Sequence, residues 1–215
     1  MTSPTITSAL GIVSCFPLRK TVACGGTPTP DAAPLFDGVS LRNLESIEFG
    51  GEGSVAVEGD AIKLGMGSPL TGVRWTGAPL PGNDYEIECE ATRVRGGDFF
   101  CGMTFPVGDR HCTLILGGWG GALVGLSCLD GADASDNETT THRSFVNGQA
   151  YRIRLRVTTA QIRVWIDDEP VIDADLAGRQ VSLRGDVALT VPFAISAYAT
   201  EARIRNLRLR PLRGD

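Results

Sequence analysis

Hydrophobic and polar residues alternate along most of the chain after residue 35. The segments 85–91 and 151–157 show this most clearly, because each has apolar residues at every second position and charged residues between them. Shorter segments of similar character lie at 54–58, 61–64, 162–166, 171–173, 193–198 and 202–209. A two-residue period is typical of a β-strand with one buried face. No segment keeps a helical period over a comparable length, so the pattern predicts an all-β protein.

The number of predicted strands indicates two packed sheets. We count about ten to thirteen strands, which is more than a single twisted sheet usually holds. Gly59 and Asp60 separate two of these strands closely enough for a hairpin, and mainly antiparallel pairing is expected throughout. Trp165 lies on the strand face opposite the apolar residues of its own segment. The side chains expected between the sheets are Ile153, Leu155, Val157, Ile162, Val164 and Ile166.

The first 34 residues differ in character from the rest of the chain. Segment 6–18 is moderately apolar but is shorter than the ~20 residues of a membrane helix, so no transmembrane segment is expected. It is similar to the apolar part of a bacterial secretion signal, and residues 12–15 are similar to a lipoprotein cleavage box. Two interpretations stay open. Residues 1–34 are an export signal or lipid-anchored tether that places the protein outside the cytoplasm, or they are a tail without that role on a cytoplasmic protein. One folded domain is expected over residues 35–212.

Charge and cysteine content narrow the class of protein. The net charge of −5 argues against a nucleic acid or an anionic membrane as partner. None of the six cysteines belongs to a CxxC pair or to another zinc-like spacing. Four of them fall inside apolar strands, where a free cysteine behaves as a small buried hydrophobe. A disulfide is the alternative for these four, which are Cys89, Cys101, Cys112 and Cys128.

Small residues replace charged ones in the three central strands, 98–106, 112–117 and 122–128. Small side chains in a strand let a ligand or another part of the backbone come close. Two interpretations therefore stay open, a ligand on this face or a loop that covers it. The small residues concerned are Gly102, Thr104, Thr113, Gly117, Gly125 and Ser127.

Several segments resemble the bacterial family known as the 3-keto-disaccharide hydrolase domain. Its opening is similar to Leu35-Phe36-Asp37-Gly38, and a subgroup of it is similar at 98–109, 117–121, 125–139, 165–169 and 204–208. The resemblance covers about residues 35–212. It implies a concanavalin-like antiparallel jelly roll that binds or cleaves a glycoside, so the expected partner is a carbohydrate. The oligomeric state is not predicted.

Glu86, Glu88 and Glu90 share one face of a predicted strand, about 6.6 Å apart. That separation would suit a pair of glycosidase carboxylates. However, arginines at 152, 154, 156, 203 and 205 form matching rows on other strands. Opposed rows of opposite charge stabilise neighbouring strands, so we favour an external ladder of ion pairs over catalysis.

The loop 130–139 is rich in carboxylates. Asp130, Asp133 and Asp136 offer oxygen ligands at a density that suits Ca²⁺, although the spacing is not that of an EF-hand. A solvated acidic turn is the alternative. Asn137 and Thr104 could donate or accept hydrogen bonds with a substrate.

Trp119 and Trp165 are candidates for stacking on a sugar, since an indole ring has an apolar face and a polar N–H. Trp119 stands between two glycine pairs that could expose its ring. Each tryptophan could instead pack at a sheet edge or under a loop.

Two functions remain open from the sequence. In a glycoside lyase or hydrolase, Glu138 or His142 would be the base and Asp98 or Arg143 a supporting group. In a non-catalytic carbohydrate-binding or adhesion module, the tryptophans and polar loop residues would bind the sugar. The Trp119 turn and the acidic loop flank the same predicted strand at opposite ends, so one sugar ring cannot reach both. We expect the site at the acidic end, where Glu138, His142 and Arg143 would lie together.

Overall fold

The structure, a computed structural model, describes Met1 and residues 32–212. Within that range the chain forms fifteen β-strands, a four-residue turn at Gly118–Gly121 and a 3₁₀ helix at Gly185–Thr190. The strands are β1 (Ala33–Pro34), β2 (Leu44–Ser46), β3 (Val55–Glu58), β4 (Ala61–Leu64), β5 (Leu70–Trp75), β6 (Tyr85–Gly96), β7 (Cys101–Val107), β8 (Arg110–Gly117), β9 (Leu123–Ser127), β10 (Thr141–His142), β11 (Ala150–Val157), β12 (Gln161–Ile166), β13 (Glu169–Asp175), β14 (Ala194–Tyr198) and β15 (Thr200–Pro211).

The strands form two antiparallel sheets packed face to face. The eight-stranded sheet has the order β13-β12-β11-β6-β15-β4-β3, with β1 paired to β15. The seven-stranded sheet has the order β10-β9-β8-β7-β14-β5-β2. The predicted all-β sandwich is therefore confirmed. The count of strands exceeds the prediction because β1, β2 and β10 have only two or three residues each, too few to show a period.

The core between the sheets is built from alternate residues of both inner faces. All six core side chains predicted from β11 and β12 have no solvent exposure. The four cysteines of the predicted strands are buried and free, as expected, although Cys128 lies just after the end of β9. Burial raises the pKa of Cys112 to about 12, which keeps it a neutral thiol.

The outer face of the eight-stranded sheet carries the predicted ladder. Strand β11 places Arg152, Arg154 and Arg156 opposite Glu90, Glu88 and Glu86 of β6, in that order. On the other side of β6, a register shift in β15 brings Arg208 and Arg210 into the ladder. Arg203, which we expected there, lies opposite Thr92 instead.

Glu86 is the buried member of this ladder, with only 1% of its surface exposed. Arg156 Nε donates to it at 2.6 Å and Arg210 Nη2 at 2.7 Å. Burial alone would raise the pKa of Glu86, but the hydrogen bonds from the two arginines outweigh it and hold the pKa below its ordinary value. Glu88, in contrast, is exposed and has no ion pair within the described part of the chain.

Glu86→Gln should lower the free energy of unfolding by about 1–3 kcal/mol, because the amide cannot accept charge-assisted hydrogen bonds from both arginines. Glu88→Gln is the control and should change it by less than about 1 kcal/mol. Since folding lowers the pKa of Glu86, its contribution is complete above about pH 4.3 and is lost as the pH falls through the folded pKa. Urea unfolding at neutral and acidic pH measures both effects. Equal losses from the two variants would contradict this assignment.

Most predictions for the N-terminal 34 residues concern positions that lie outside the described residues. Segments 6–18 and 24–31, with Cys15 and Cys24, belong to that part. Ala33 and Pro34 pair with Leu209 and Arg208 of β15, so the sheet begins two residues before the predicted domain boundary. From residue 32 to residue 212, no helix has the length and apolar character needed to cross a bilayer.

Candidate functional site

The outer face of the seven-stranded sheet presents its side chains in rows that run across the strands. One row carries hydroxyl groups, because Ser127 of β9 lies opposite Thr113 of β8, and Thr113 lies opposite Thr104 of β7. The next row has small residues on every strand except β8, which contributes Ile115; the others are Gly125, Gly102, Ser196 and Gly72. A third row is apolar, with Tyr198 of β14 opposite Leu70 of β5. Successive rows are about 6.6 Å apart along the strands.

The small residues serve mainly to let other parts of the chain come close. A Cβ added to Gly125 would lie 2.8 Å from the Ala134 oxygen, and one added to Gly102 would lie 2.8 Å from the Phe99 ring. The acidic loop and Phe99 therefore cover parts of this row. Of the two interpretations of this face, coverage by a loop applies at Gly125. Other positions of the face are not covered and are accessible to a ligand.

The uncovered part of the face is a cavity of about 240 Å³. Leu70, Ile115 and Val187 form its apolar floor and wall. Aromatic residues stand at one end and polar residues at the other. The aromatic end consists of Phe99, Trp119 and Tyr198, and the polar end of Thr113, Ser127, Arg184 and Asp186.

A connected set of hydrogen bonds orders the polar end. Ser127 Oγ donates to Asp133 Oδ1 at 2.5 Å, and the other carboxylate oxygen of Asp133 pairs with Arg184. Burial alone would raise the pKa of Asp133, but the hydrogen bonds from Ser127, the Ala134 N–H and Arg184 outweigh it and lower the pKa. Arg184 Nε also donates to Asp186 at 3.3 Å. The guanidinium has five N–H groups, so it can donate to a ligand while keeping both carboxylates.

Thr104 holds the 3₁₀ helix against the sheet. Its hydroxyl lies 3.0 Å from that of Thr113 and 2.8 Å from that of Thr190, which ends the helix. Thr190 in turn donates to the Val187 carbonyl at 2.5 Å. Thr104 is fully buried, so it supports the cavity from below. We expected its hydroxyl to bind a substrate, but in the structure that hydroxyl is not accessible.

The aromatic end depends on a strained turn. Trp119 has a left-handed backbone with φ of 47°, and the residue is 46% exposed. Asp98 fixes this turn, because one carboxylate oxygen accepts the Gly120 N–H at 3.2 Å and the other accepts the Phe99 N–H at 2.8 Å. Asp98 therefore lines the cavity, with both of its oxygens engaged by backbone N–H groups. Phe99 and Tyr198 pack with ring centroids 5.7 Å apart.

The other three residues expected at a catalytic centre do not meet at the cavity. Glu138 and Asp130 both pair with Arg179. The pKa of Glu138 is lowered, chiefly by the hydrogen bond from Arg179. His142 is exposed on β10 opposite Leu123, and Arg143 pairs with Asp167 and Glu169. Glu138 and Arg143 are thus engaged in ion pairs outside this cavity, and the site expected at the acidic end stays a prediction.

The proposed calcium ligands also have other partners. Asp130 bonds with Arg179, Asp133 with Ser127 and Arg184, and Asp136 with Ser135. Over residues 32–212, no cluster of three or more His, Cys, Asp or Glu could hold a metal ion. The expected grouping of the three aspartates is therefore corrected.

Asn137 supports the loop. Its side-chain amide donates to the carbonyls of Leu126, Ala132 and Asp133, and its oxygen accepts from Thr139. With these bonds it holds the loop on the sheet and has little capacity left for a sugar.

Trp165 lies on the opposite side of the molecule from the cavity. It is on the outer face of the eight-stranded sheet, with the Arg154 guanidinium 4.1 Å and that of Arg156 5.5 Å from the ring centroid. Stacking of these arginines accounts for a tryptophan on this outer face without a role in ligand binding.

Sequence reasoning did not select Tyr198, Phe99, Arg184 or Asp186 as site residues. Tyr198 ends a predicted strand and Phe99 precedes one, so each could equally be ordinary packing. Arg184 and Asp186 lie in segment 176–192, which has no period and no recognisable motif. Only the folded chain brings them over the sheet.

Comparison with known protein families identifies the family of this chain. The 3-keto-alpha-glucoside-1,2-lyase-like domain matches residues 31–210. The chain therefore belongs to that family, as the sequence resemblance implied. No curated protein matches the chain.

Solved structures share the fold at low sequence identity. Carbohydrate-binding module CBM66 from Bacillus subtilis is 14% identical with a TM-score of 0.53, over 78% of this chain and 95% of that one. A putative glycosyl hydrolase from Parabacteroides distasonis is 10% identical with a TM-score of 0.52, over 85% and 94%. The Crh5 transglycosylase in complex with NAG is 10% identical with a TM-score of 0.56, over 85% and 83%. The predicted concanavalin-like jelly roll is thereby confirmed.

Proposed function

We propose that the cavity on the outer face of the seven-stranded sheet binds a glycoside. The observation that carries this proposal is the joint presence of exposed aromatic rings and an ordered polar cluster around one small cavity. A sugar offers apolar C–H faces and several hydroxyl groups, and aromatic rings with fixed donors and acceptors match both. The name of the family to which the chain belongs refers to 3-keto-alpha-glucosides, which supports the same class of ligand.

The size of the cavity favours a short ligand. Its volume of about 240 Å³ lies below the ~300–1,000 Å³ of sites for drug-sized ligands. A single sugar residue with one substituent suits it better than a long chain. Arg184 and Asp186 would bind the hydroxyl groups, since together they provide both donors and acceptors.

Calorimetric titration with a panel of methyl glycosides, including methyl α-glucoside and its 3-keto form, tests the proposal. We expect saturable binding of at least one glycoside by the wild type. Arg184→Gln should weaken that binding, because it removes the cation that organises the polar end. Arg163→Gln is the matched control, since Arg163 pairs with Asp173 at the edge of the other sheet. Failure of every glycoside to saturate would refute the proposal.

Elimination is a second candidate function, favoured by the family description and by a carboxylate in the cavity. The ketone at C3 of a 3-keto-glucoside makes the C2 proton acidic. Asp186 would accept that proton, the C–H electron pair would form the C1–C2 double bond, and the C1–O bond would break. The departing oxygen would take a proton from water. Asp186 suits this role better than Asp98, because among the described residues only its Oδ1 accepts a hydrogen bond, from Arg184, whereas both oxygens of Asp98 accept backbone N–H groups.

Incubation of the protein with methyl 3-keto-α-glucoside separates the two functions. Turnover produces a conjugated enone with a new ultraviolet absorbance and releases methanol. With a catalytic Asp186, Asp186→Asn should remove turnover without abolishing binding, because the amide oxygen still accepts a hydrogen bond from a sugar hydroxyl. Saturable binding without formation of an enone would mean that the protein binds the glycoside and does not cleave it.

A further inference from the structure

The two ends of the cavity differ in chemistry, and the register of the sheet fixes how far apart they are. The hydroxyl row, with Thr113 and Ser127, is two rows away from the row of Tyr198 and Leu70. Three rows span about 13 Å along the strands. That length exceeds one sugar ring, so a ligand that fills the cavity places two different groups at the two ends.

Polar contacts concentrate at one end. Arg184, Asp186, Ser127 and Thr113 all line that end, and the first three belong to one network with Asp133. A sugar ring, with a hydroxyl group on nearly every carbon, requires such a density of donors and acceptors, because each buried hydroxyl without a partner is costly.

The other end is mainly apolar. Phe99, Trp119 and Tyr198 surround it, and Leu70 lies beside Tyr198 on the neighbouring strand. Its one charged residue, Asp98, already accepts two backbone N–H groups. A second sugar would find few free polar partners here, whereas a flat apolar ring would contact aromatic rings on several sides.

We infer that the cavity takes a glycoside of an apolar or aromatic aglycone, with its sugar at Arg184 and its aglycone between Phe99, Trp119 and Tyr198. This inference rests on the proposed function and adds the class and orientation of the ligand. Trp119 then determines the preference for one aglycone over another, while Arg184 contributes to the affinity for the sugar.

Binding of three ligands with the same sugar tests the inference: methyl α-glucoside, phenyl α-glucoside and maltose, each also as its 3-keto form. The wild type should bind the phenyl glycoside at least about tenfold more tightly than the methyl glycoside, because the phenyl ring buries apolar surface. Trp119→Ala should reduce this ratio to nearly one. Arg184→Gln should weaken both ligands by the same factor and leave the ratio unchanged. Trp165→Ala should leave affinities and ratio as in the wild type.

The outcomes separate the inference from the proposed function. Equal affinity for the methyl and phenyl glycosides would overturn the aglycone inference and leave glycoside binding intact. Maltose as the tightest ligand would also overturn it, since a second sugar would then occupy the aromatic end. Absence of binding by all three, in either form, would refute both. Circular dichroism of each variant confirms that the fold persists, and Trp119 is exposed enough that its loss opens no core cavity.

Discussion

Arg93→Ala should lower the free energy of unfolding by about 3 kcal/mol or more. Arg93 is only 8% exposed, and it donates to Asn147 Oδ1 at 2.7 Å, to the Gly121 carbonyl at 3.1 Å and to the Phe145 carbonyl at 2.5 Å. Hydrogen bonds from a charged group contribute about 1.5–3 kcal/mol each, and buried carbonyls that lose a partner remain unsatisfied. Urea unfolding followed by circular dichroism measures the loss.

Arg95, two residues further along β6, is the matched control. Its side chain is 68% exposed and pairs with Glu201 at the surface. Exposed ion pairs contribute little, so Arg95→Ala should change the free energy of unfolding by less than about 1 kcal/mol. A loss from Arg93→Ala no larger than that from Arg95→Ala would mean that Arg93 is not the link between β6, the Trp119 turn and the 145–147 loop.

Trp119→Ala should weaken glycoside binding about thirtyfold or more. Truncating a tryptophan that anchors a bound ligand commonly costs about 2 kcal/mol or more, which is this factor in Kd. The effect should appear in affinity and not in stability, because 46% of the Trp119 surface is exposed to solvent. Calorimetric titration with phenyl α-glucoside, or with its 3-keto form, gives the ratio of dissociation constants.

Trp165→Ala provides the comparison, since it removes the same side chain from the opposite sheet. There the ring packs against Arg154 and Arg156, away from the cavity. Binding by this variant should equal that of the wild type. A larger loss of affinity from Trp165→Ala than from Trp119→Ala would assign the ligand to the outer face of the eight-stranded sheet.

The sandwich could be predicted because its signal is local. Every second residue of β11 and β12 is buried against the other sheet, so the sequence there repeats with the period of the strand. The ladder of Glu86, Glu88 and Glu90 was predictable for a related reason, since charges at every second position share a face. The register shift in β15 brings Arg208 opposite Glu88. In the sequence it shows only as a break in the alternation at Arg205 and Asn206, which are both exposed, and that break does not specify which residue lies opposite Glu88.

The site was only partly predictable, because distant segments build it. Asp98 and Trp119 lie near glycine-rich turns that the sequence displays, and both line the cavity. Glu138 was expected there, but Arg179, which lies 41 residues away, engages it. No spacing in the sequence shows that pairing. Arg184 reaches the cavity in the same way, through an irregular segment that crosses the outer face of the sheet.

The three tryptophans allow the most direct test of glycoside binding in this cavity. Trp75 is buried with its indole N–H donating to the Ala78 carbonyl at 2.7 Å, Trp119 lines the cavity, and Trp165 lies on the opposite sheet. In a proton–nitrogen correlation spectrum of the full chain, each indole N–H gives one signal. Titration with phenyl α-glucoside or its 3-keto form should shift the Trp119 signal in a saturable way and leave those of Trp75 and Trp165 in place. A saturable shift of Trp165 with an unchanged Trp119 would contradict the assignment of the site.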